Sequence, residues 1–140
     1  LDYVAGYCVV NDVSERAFQL QSSQWDKGKS FDSSGPIGPW LVTTDEIRDP
    51  QGLEIWLDVN GERRQNSTTR DMIFSCANLV AYCSNYMTLL PGDIITTGTP
   101  SGVALGIKDR DAFLKPGDIV TLGIDGLSEQ RQRVVPYPGK

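Results

Sequence analysis

Asp12, Arg16 and Gln19 are the residues whose types and spacing could do chemistry on an anion or a metal ion. An apolar run from Val4 to Val10 ends at Asn11-Asp12, and Ser14-Glu15-Arg16-Ala17-Phe18-Gln19 reads as a short helix with Ser14 as its N-cap. A carboxylate, a guanidinium and an amide then fall within about two helical turns at a strand end. Such a corner can hold a cation through the carboxylate and an anion through the guanidinium. Lys27 and Lys29 follow in Trp25 to Pro39, a stretch rich in glycine, proline and hydroxyls. It reads either as a solvated surface loop with ordinary lysines or as a loop whose backbone lets a ligand come close. It lacks the GxxxxGK[ST] spacing of a P-loop. Thr97 to Val103 offers a similar choice. Glycines flanking Thr99 and the following Pro100 either aim the hydroxyl at a ligand or make a β-corner that needs small residues.

Composition bounds what this corner can belong to. The 140 residues are 39% hydrophobic and 22% charged, which fits one globular domain able to bury a core. A net charge of −5 argues against a nucleic-acid partner, because phosphate binding needs a clustered basic face. Neither an 18-residue apolar run nor a basic, apolar leader is visible, so no membrane partner is expected and the cytoplasm is the expected location. The chain has no histidine, which excludes Ser-His-Asp and Cys-His catalysis within it and removes the commonest zinc ligand. Chemistry would have to run on carboxylates, lysine, arginine, hydroxyls and a hard metal. Cys8, Cys76 and Cys83 are odd in number and lie in apolar contexts, so they read as reduced core residues.

The positioning elements read as mostly β. A strand over Tyr3 to Val10 leads into the short helix, and Trp40 to Thr43 reads as another strand. Leu53, Ile55, Leu57 and Val59 alternate with Glu54, Trp56 and Asp58, and Asn60-Gly61 turns the chain into Glu62 to Asn66. That pattern is a β-hairpin with one covered face, and Trp56 caps the other face or an interface. Met72, Ile73, Cys76, Leu79, Val80, Cys83 and Met87 recur at helical steps, giving an amphipathic helix packed on a sheet, with Thr69 or Asp71 near its start and Asn78 and Asn85 exposed. Pro91-Gly92-Asp93 and Pro116-Gly117-Asp118 are a shared local turn, each feeding a β-branched strand. Two final strands, Ile119 to Ile124 and Glu129 to Val135, are joined by Asp125-Gly126-Leu127, and the tail from Pro136 to Lys140 is expected to carry little order.

Four stretches together resemble the fumarylacetoacetate hydrolase family: Tyr7-Cys8-Val9-Val10-Asn11-Asp12-Val13-Ser14-Glu15-Arg16, Gly28-Lys29-Ser30-Phe31-Asp32, Gly35-Pro36-Ile37-Gly38-Pro39-Trp40 and Thr97-Gly98-Thr99-Pro100-Ser101-Gly102-Val103. The likeness covers nearly all of residues 1–140 as that family's C-terminal catalytic domain. Ser14 to Gln19 with Asp26 to Lys29 looks most like the branch of ureidoglycolate lyase-like proteins and 2,4-diketo-3-deoxy-sugar-acid hydrolases. The resemblance implies an α+β, mostly β fold, a mixed β-roll with one amphipathic helix packed on sheet, that forms a homodimer and binds Mg²⁺, with Mn²⁺ or Ca²⁺ as alternatives. Asp12 matches the family's metal aspartate. Its two companion glutamates, a Glu-x-Glu motif, belong upstream, and none precedes Asp12 here, so this chain is expected to be the later part of a longer protein. Arg16, Gln19 and Lys29 match residues around a small acidic substrate, Lys29 being the catalytic candidate, and Thr99 matches a hydroxyl on the substrate carboxylate. The implied reaction is hydrolysis of a C–C bond in a 2,4-diketo, acylpyruvate-like acid through a metal-stabilised enolate. A lyase, decarboxylase or isomerase on the same chemistry is the alternative, and a non-catalytic fragment with an incomplete metal site is the alternative of another class.

Overall fold

The computed structural model describes residues 1–107 and 112–137. Four strands form the main sheet: β3 (Glu54–Val59), β4 (Glu62–Thr68), β5 (Ile119–Ile124) and β6 (Ser128–Arg133), in the order β4-β3-β5-β6 with every pair antiparallel. A second, two-stranded antiparallel sheet joins β1 (Gly6–Tyr7) to β2 (Val42–Thr43). Helices are few: α1 (Arg16–Gln19), α2 (Cys76–Ser84) and three single 3₁₀ turns among the described residues. The fold is α+β and mostly β, as the sequence implies.

The hairpin forms because local chemistry and pattern agree. Asn60 and Gly61 take positive φ of 52° and 82°, the conformation a two-residue hairpin turn requires. The tip is then fastened to β5: Asn60 Nδ2 donates to Asp118 Oδ1 at 2.9 Å, and Ile119 N donates to Asn60 Oδ1 at 2.9 Å. Pairing sets Leu57 against Leu122 and Val59 against Val120. The β5 residues of this face join Val9, Val42, Ile47 and Leu127 in the buried core, with Tyr7, Leu53, Leu57, Ile124 and Val134 packed on it. On the opposite face Trp56 pairs with Gly123, where an added Cβ would lie 3.0 Å from the indole, and Arg63 stacks over the same ring at 4.8 Å.

Several expectations are corrected. The Tyr3 to Val10 strand pairs only at Gly6–Tyr7 and, after a gap, by a bridge from Val10 to Ile37, because the segment passes from one partner to another. Trp40 to Thr43 shortens to Val42–Thr43, the two residues that pair with Tyr7 and Gly6. The long helix begins late: Thr68 accepts from Arg70 N to open the 3₁₀ turn Thr69–Asp71, and Ser75 accepts from Asn78 N to cap α2. The inward face of α2, Cys76, Leu79, Val80 and Cys83, reaches only half-burial, while Asn78 and Asn85 are exposed as expected. The three cysteines are free and half-buried, outside the core proper. Burial still pushes the Cys8 and Cys76 thiols up from their ordinary value.

The two Pro-Gly-Asp turns do share one geometry. Asp93 N donates to Leu90 O and Leu90 N to Asp93 Oδ2; Asp118 N donates to Lys115 O and Lys115 N to Asp118 Oδ2. Only the second feeds a strand. Ile94 to Thr97 joins no ladder among the described residues, since β-branched residues favour extension but a strand also needs a partner edge. The tail from Pro138 lies outside the described residues.

Candidate active site

The corner opened by Asp12 is assembled by backbone hydrogen bonds between two loops. Asn11 N donates to Pro36 O at 3.0 Å, Val13 N to Ser34 O at 3.1 Å and Gly38 N to Val9 O at 3.0 Å, so the segment around Asp12 runs against residues 34–38. Glu15 N donates to Gly28 O at 2.8 Å, which joins the start of α1 to the end of the 3₁₀ turn Asp26–Gly28. Gly28 is buried there, and an added Cβ would lie 2.5 Å from Gln19 Cβ and 2.7 Å from its backbone. Only glycine permits that approach. Lys29 is thereby delivered to Asp12.

The resulting contacts are specific. Lys29 Nζ pairs with Asp12 Oδ2 and donates to Ser14 Oγ at 3.2 Å, while the Lys29 carbonyl accepts from the buried Ser34 hydroxyl at 2.8 Å. Ser14 is not the helix cap; its hydroxyl donates to Asp12 O, and Glu15 caps α1 by accepting from Ala17 N at 2.9 Å. Arg16 Nη1 donates to Gln19 Oε1, and Gln19 is 1% exposed. The Gln19 amide therefore faces Arg16 from inside and holds the guanidinium at half-burial. Lys27 points elsewhere, to Gln21 Oε1 at 2.7 Å and over the Phe18 ring at 5.2 Å.

Thr99 is held by a different element. Gln65 of β4, itself buried, donates from Nε2 to Thr99 Oγ1 and to Pro100 O, both at 2.9 Å. Gly102 has φ of 107° and lies so close to β4 that a Cβ would sit 2.0 Å from Arg64 O, so its smallness serves the contact with β4. The hydrogen-bonded groups thus bring Asp12, Ser14 and Lys29 together and Arg16 and Gln19 together, with Thr99 anchored to the main sheet.

Three residues that brace the loops of the candidate site carry little signal when residues are taken singly: Gln65, Gln130 and Gln132. Gln130 Nε2 donates to Val9 O at 2.9 Å and to Gly38 O at 2.8 Å, and Gln132 bonds both Gln130 and, at 2.7 Å, the Asn11 side chain. These amides tie the strand end before Asp12 to β6. The signal available is the β6 pattern, where Ser128, Gln130 and Gln132 alternate with Glu129, Arg131 and Arg133, uncharged on one face and charged on the other.

The implied divalent ion fits this chain only in part. A hard cation takes about six or more oxygen ligands. Asp12, with its side chain 53% exposed, offers one carboxylate, and no group of three or more potential ligands occurs among the described residues. No helix of the described residues is long and apolar enough to cross a membrane.

The arrangement of a half-buried guanidinium, a lysine on an aspartate and an anchored threonine hydroxyl coincides with a family match. Residues 1–135 match the fumarylacetoacetate (FAA) hydrolase C-terminal family, and the chain belongs to that family. A Burkholderia cenocepacia protein carrying only the provisional name of a hydrolase is 65% identical over 133 residues, 94% of this chain and 47% of its own length. Fumarylpyruvate hydrolase from Pseudomonas aeruginosa, solved in complex with Mn²⁺ and pyruvate, is 37% identical with a TM-score of 0.87, covering 97% of this chain and 56% of that one. The 2-hydroxyhepta-2,4-diene-1,7-dioate isomerase from Mycobacterium marinum is 38% identical with a TM-score of 0.86, covering 99% and 50%. The chain spans about half the length of the relatives it matches.

Proposed function

We propose that residues 1–140 form the acid-binding catalytic domain of a divalent-metal-dependent hydrolase that cleaves a C–C bond in a 2,4-diketo, acylpyruvate-like acid. The observation that carries the reading is the pairing of Lys29 with Asp12, with a second cationic side chain, Arg16, held by Gln19 on α1 four residues further on, in a chain of net charge −5. A local reversal of sign of this kind suits an anionic substrate. Support also comes from the Pseudomonas aeruginosa relative, a fumarylpyruvate hydrolase bound to pyruvate and Mn²⁺. Asp12 is one oxygen donor to Mg²⁺ or Mn²⁺, and the further carboxylates would come from outside these residues. The ion, when bound, offsets negative charge on the keto acid.

The proposed roles are as follows. Arg16, braced by Gln19, and the Thr99 hydroxyl receive the substrate's carboxylate. Lys29, which pairs with Asp12, would offset negative charge that develops on the keto oxygen. In hydrolysis, water adds its oxygen to the acyl carbon, the C–C electron pair passes to the departing 2-keto acid as its enolate, and that carbon then takes a proton. An isomerase reading is favoured by one observation, the similarity to the Mycobacterium marinum isomerase, and differs in leaving the C–C bond intact.

The test is turnover of a panel of 2,4-diketo acids, followed by loss of diketone absorbance with and without Mg²⁺ or Mn²⁺. Wild type should be active only with the ion, and Asp12→Ala should lose activity by orders of magnitude. Full activity in Asp12→Ala overturns the assignment. Loss of diketone absorbance without release of two products favours isomerisation, and a chain that binds no Mn²⁺ in calorimetry and turns over nothing is a binding or structural module.

A further inference from the structure

The buried amide of Gln65 makes two hydrogen bonds to the Thr99 loop, and their chemistry fixes which way the Thr99 hydroxyl can act. Pro100 O is a carbonyl and can only accept. The Gln65 group 2.9 Å from it must therefore be the NH₂, and the same nitrogen lies 2.9 Å from Thr99 Oγ1. No rotation of the amide by half a turn satisfies both contacts, because its oxygen would then face the Pro100 carbonyl. Thr99 Oγ1 consequently accepts from Gln65, which leaves the single hydroxyl proton of Thr99 to be donated outward. Thr99 is exposed while Gln65 is buried, so the outward direction is toward solvent and ligand. The loop cannot easily swing away, because Gly102 lies directly on the Arg64 carbonyl.

We infer that Gln65 is a positioning residue that commits the Thr99 hydroxyl to donating its proton to a carboxylate. A hydroxyl so committed binds an anion without first choosing between donor and acceptor orientations, and it disfavours ligands that present a donor at that point. The inference rests on the proposed reading of Thr99 as a contact to the substrate acid.

The experiment measures pyruvate affinity by calorimetry in the presence of Mn²⁺ for wild type, Thr99→Val, Thr99→Ser, Gln65→Glu, Gln65→Met and the Gln65→Glu/Thr99→Val double variant. A hydrogen bond to a charged group lost at Thr99→Val should weaken binding about tenfold or more, and Thr99→Ser should restore it. Gln65→Glu replaces the donor by an acceptor, so the hydroxyl turns inward to donate to it, and pyruvate should weaken to the same degree. The double variant should be no more than about twofold worse than either single one, because both remove the same bond. Gln65→Met removes the donor without burying a carboxylate and supplies the comparison if Gln65→Glu does not fold. Failure of wild type to bind pyruvate, or unchanged binding in Thr99→Val, overturns the reading of Thr99 itself. Weakened binding in Thr99→Val with unchanged binding in the Gln65 variants, or fully multiplicative losses in the double variant, overturns the role of Gln65 alone.

Discussion

Gly28→Ala is a single added methyl group that should disturb both stability and the proposed acid-binding corner. The new Cβ would lie 2.5 Å from Gln19 Cβ and 2.7 Å from Gln19 Cα and N. Carbon atoms prefer about 3.5–4.0 Å, so roughly 1 Å of separation has to be found. Gln19 cannot yield by changing rotamer, because two of the three nearest atoms are its backbone and its side chain is bonded to Arg16. Either α1 or the loop bearing Lys29 must move, and the bond from Glu15 N to Gly28 O stretches with it. Overpacking of this kind costs about 1–3 kcal/mol. At about 2.1 cal/mol/K of unfolding entropy per residue, 140 residues give about 0.3 kcal/mol per degree. The melting temperature should therefore fall by about 3–10 °C in a circular-dichroism melt, and pyruvate binding should weaken because Lys29 is the next residue. Gly35→Ala is the control: nothing lies within 4 Å of its added Cβ, and it should be neutral or slightly stabilising. If Gly28→Ala melts within about 1 °C of wild type and of Gly35→Ala, the close packing of the loop on α1 is refuted.

Three further outcomes are expected. Lys29→Met should weaken pyruvate binding about tenfold yet shift the melting temperature by no more than about 3 °C, since an exposed ion pair contributes about 1 kcal/mol or less; a large drop in melting temperature would make Lys29 a structural residue. Hydrogen bonds from the Asn60 amide and from Lys115 N hold the Asp118 carboxyl below its ordinary 3.8, so its contribution to stability is present above that value and lost as pH falls through the folded value. Asn60→Gly keeps the left-handed turn and should flatten the acid limb of the melting profile below about pH 4; an unchanged acid limb would rule Asn60 out as the cause. Ile73→Asp and Phe74→Ser, at residues 91% and 60% exposed, should change stability by no more than about 0.5 kcal/mol in urea unfolding of this chain. A loss above about 2 kcal/mol would mean these side chains are packed.

What could be read in advance follows the range of the interactions responsible. The hairpin was legible because Asn60-Gly61 encodes its own turn and Leu53 to Val59 encodes its own buried face, both within a dozen residues. The paired Pro-Gly-Asp turns were legible as one local turn for the same reason, and the structure adds that each aspartate accepts from the backbone three residues back. The strand after the first of them was not, because extension is local but pairing depends on a partner edge that the described residues do not bring alongside Ile94. The long helix was read too long at its start, where Thr68 and Ser75 each offer a cap and the chain uses both, one for a 3₁₀ turn and one for α2.

At the candidate site the same division separates residue type from residue partner. Asp12, Arg16 and Lys29 were visible as charges of useful kind, but the approach of Lys29 to Asp12 across 17 positions depends on Gly28 fitting against Gln19, a fact of packing that composition cannot supply. Gln19 read as a polar residue near an anion. Its burial and its bond to Arg16 make it a brace under the guanidinium. The amides of Gln65, Gln130 and Gln132 look like ordinary polar strand residues until their partners are known, and then each holds a loop that carries a site residue. Gln130 bonds the carbonyls of Val9 and Gly38 together, and since Val9 O also accepts from Gly38 N, losing Gln130 would take a donor from the Gly38 carbonyl and leave Val9 O with one donor in place of two. The chemistry of this corner is thus set by charged residues, and its geometry by uncharged amides reaching out from the sheet.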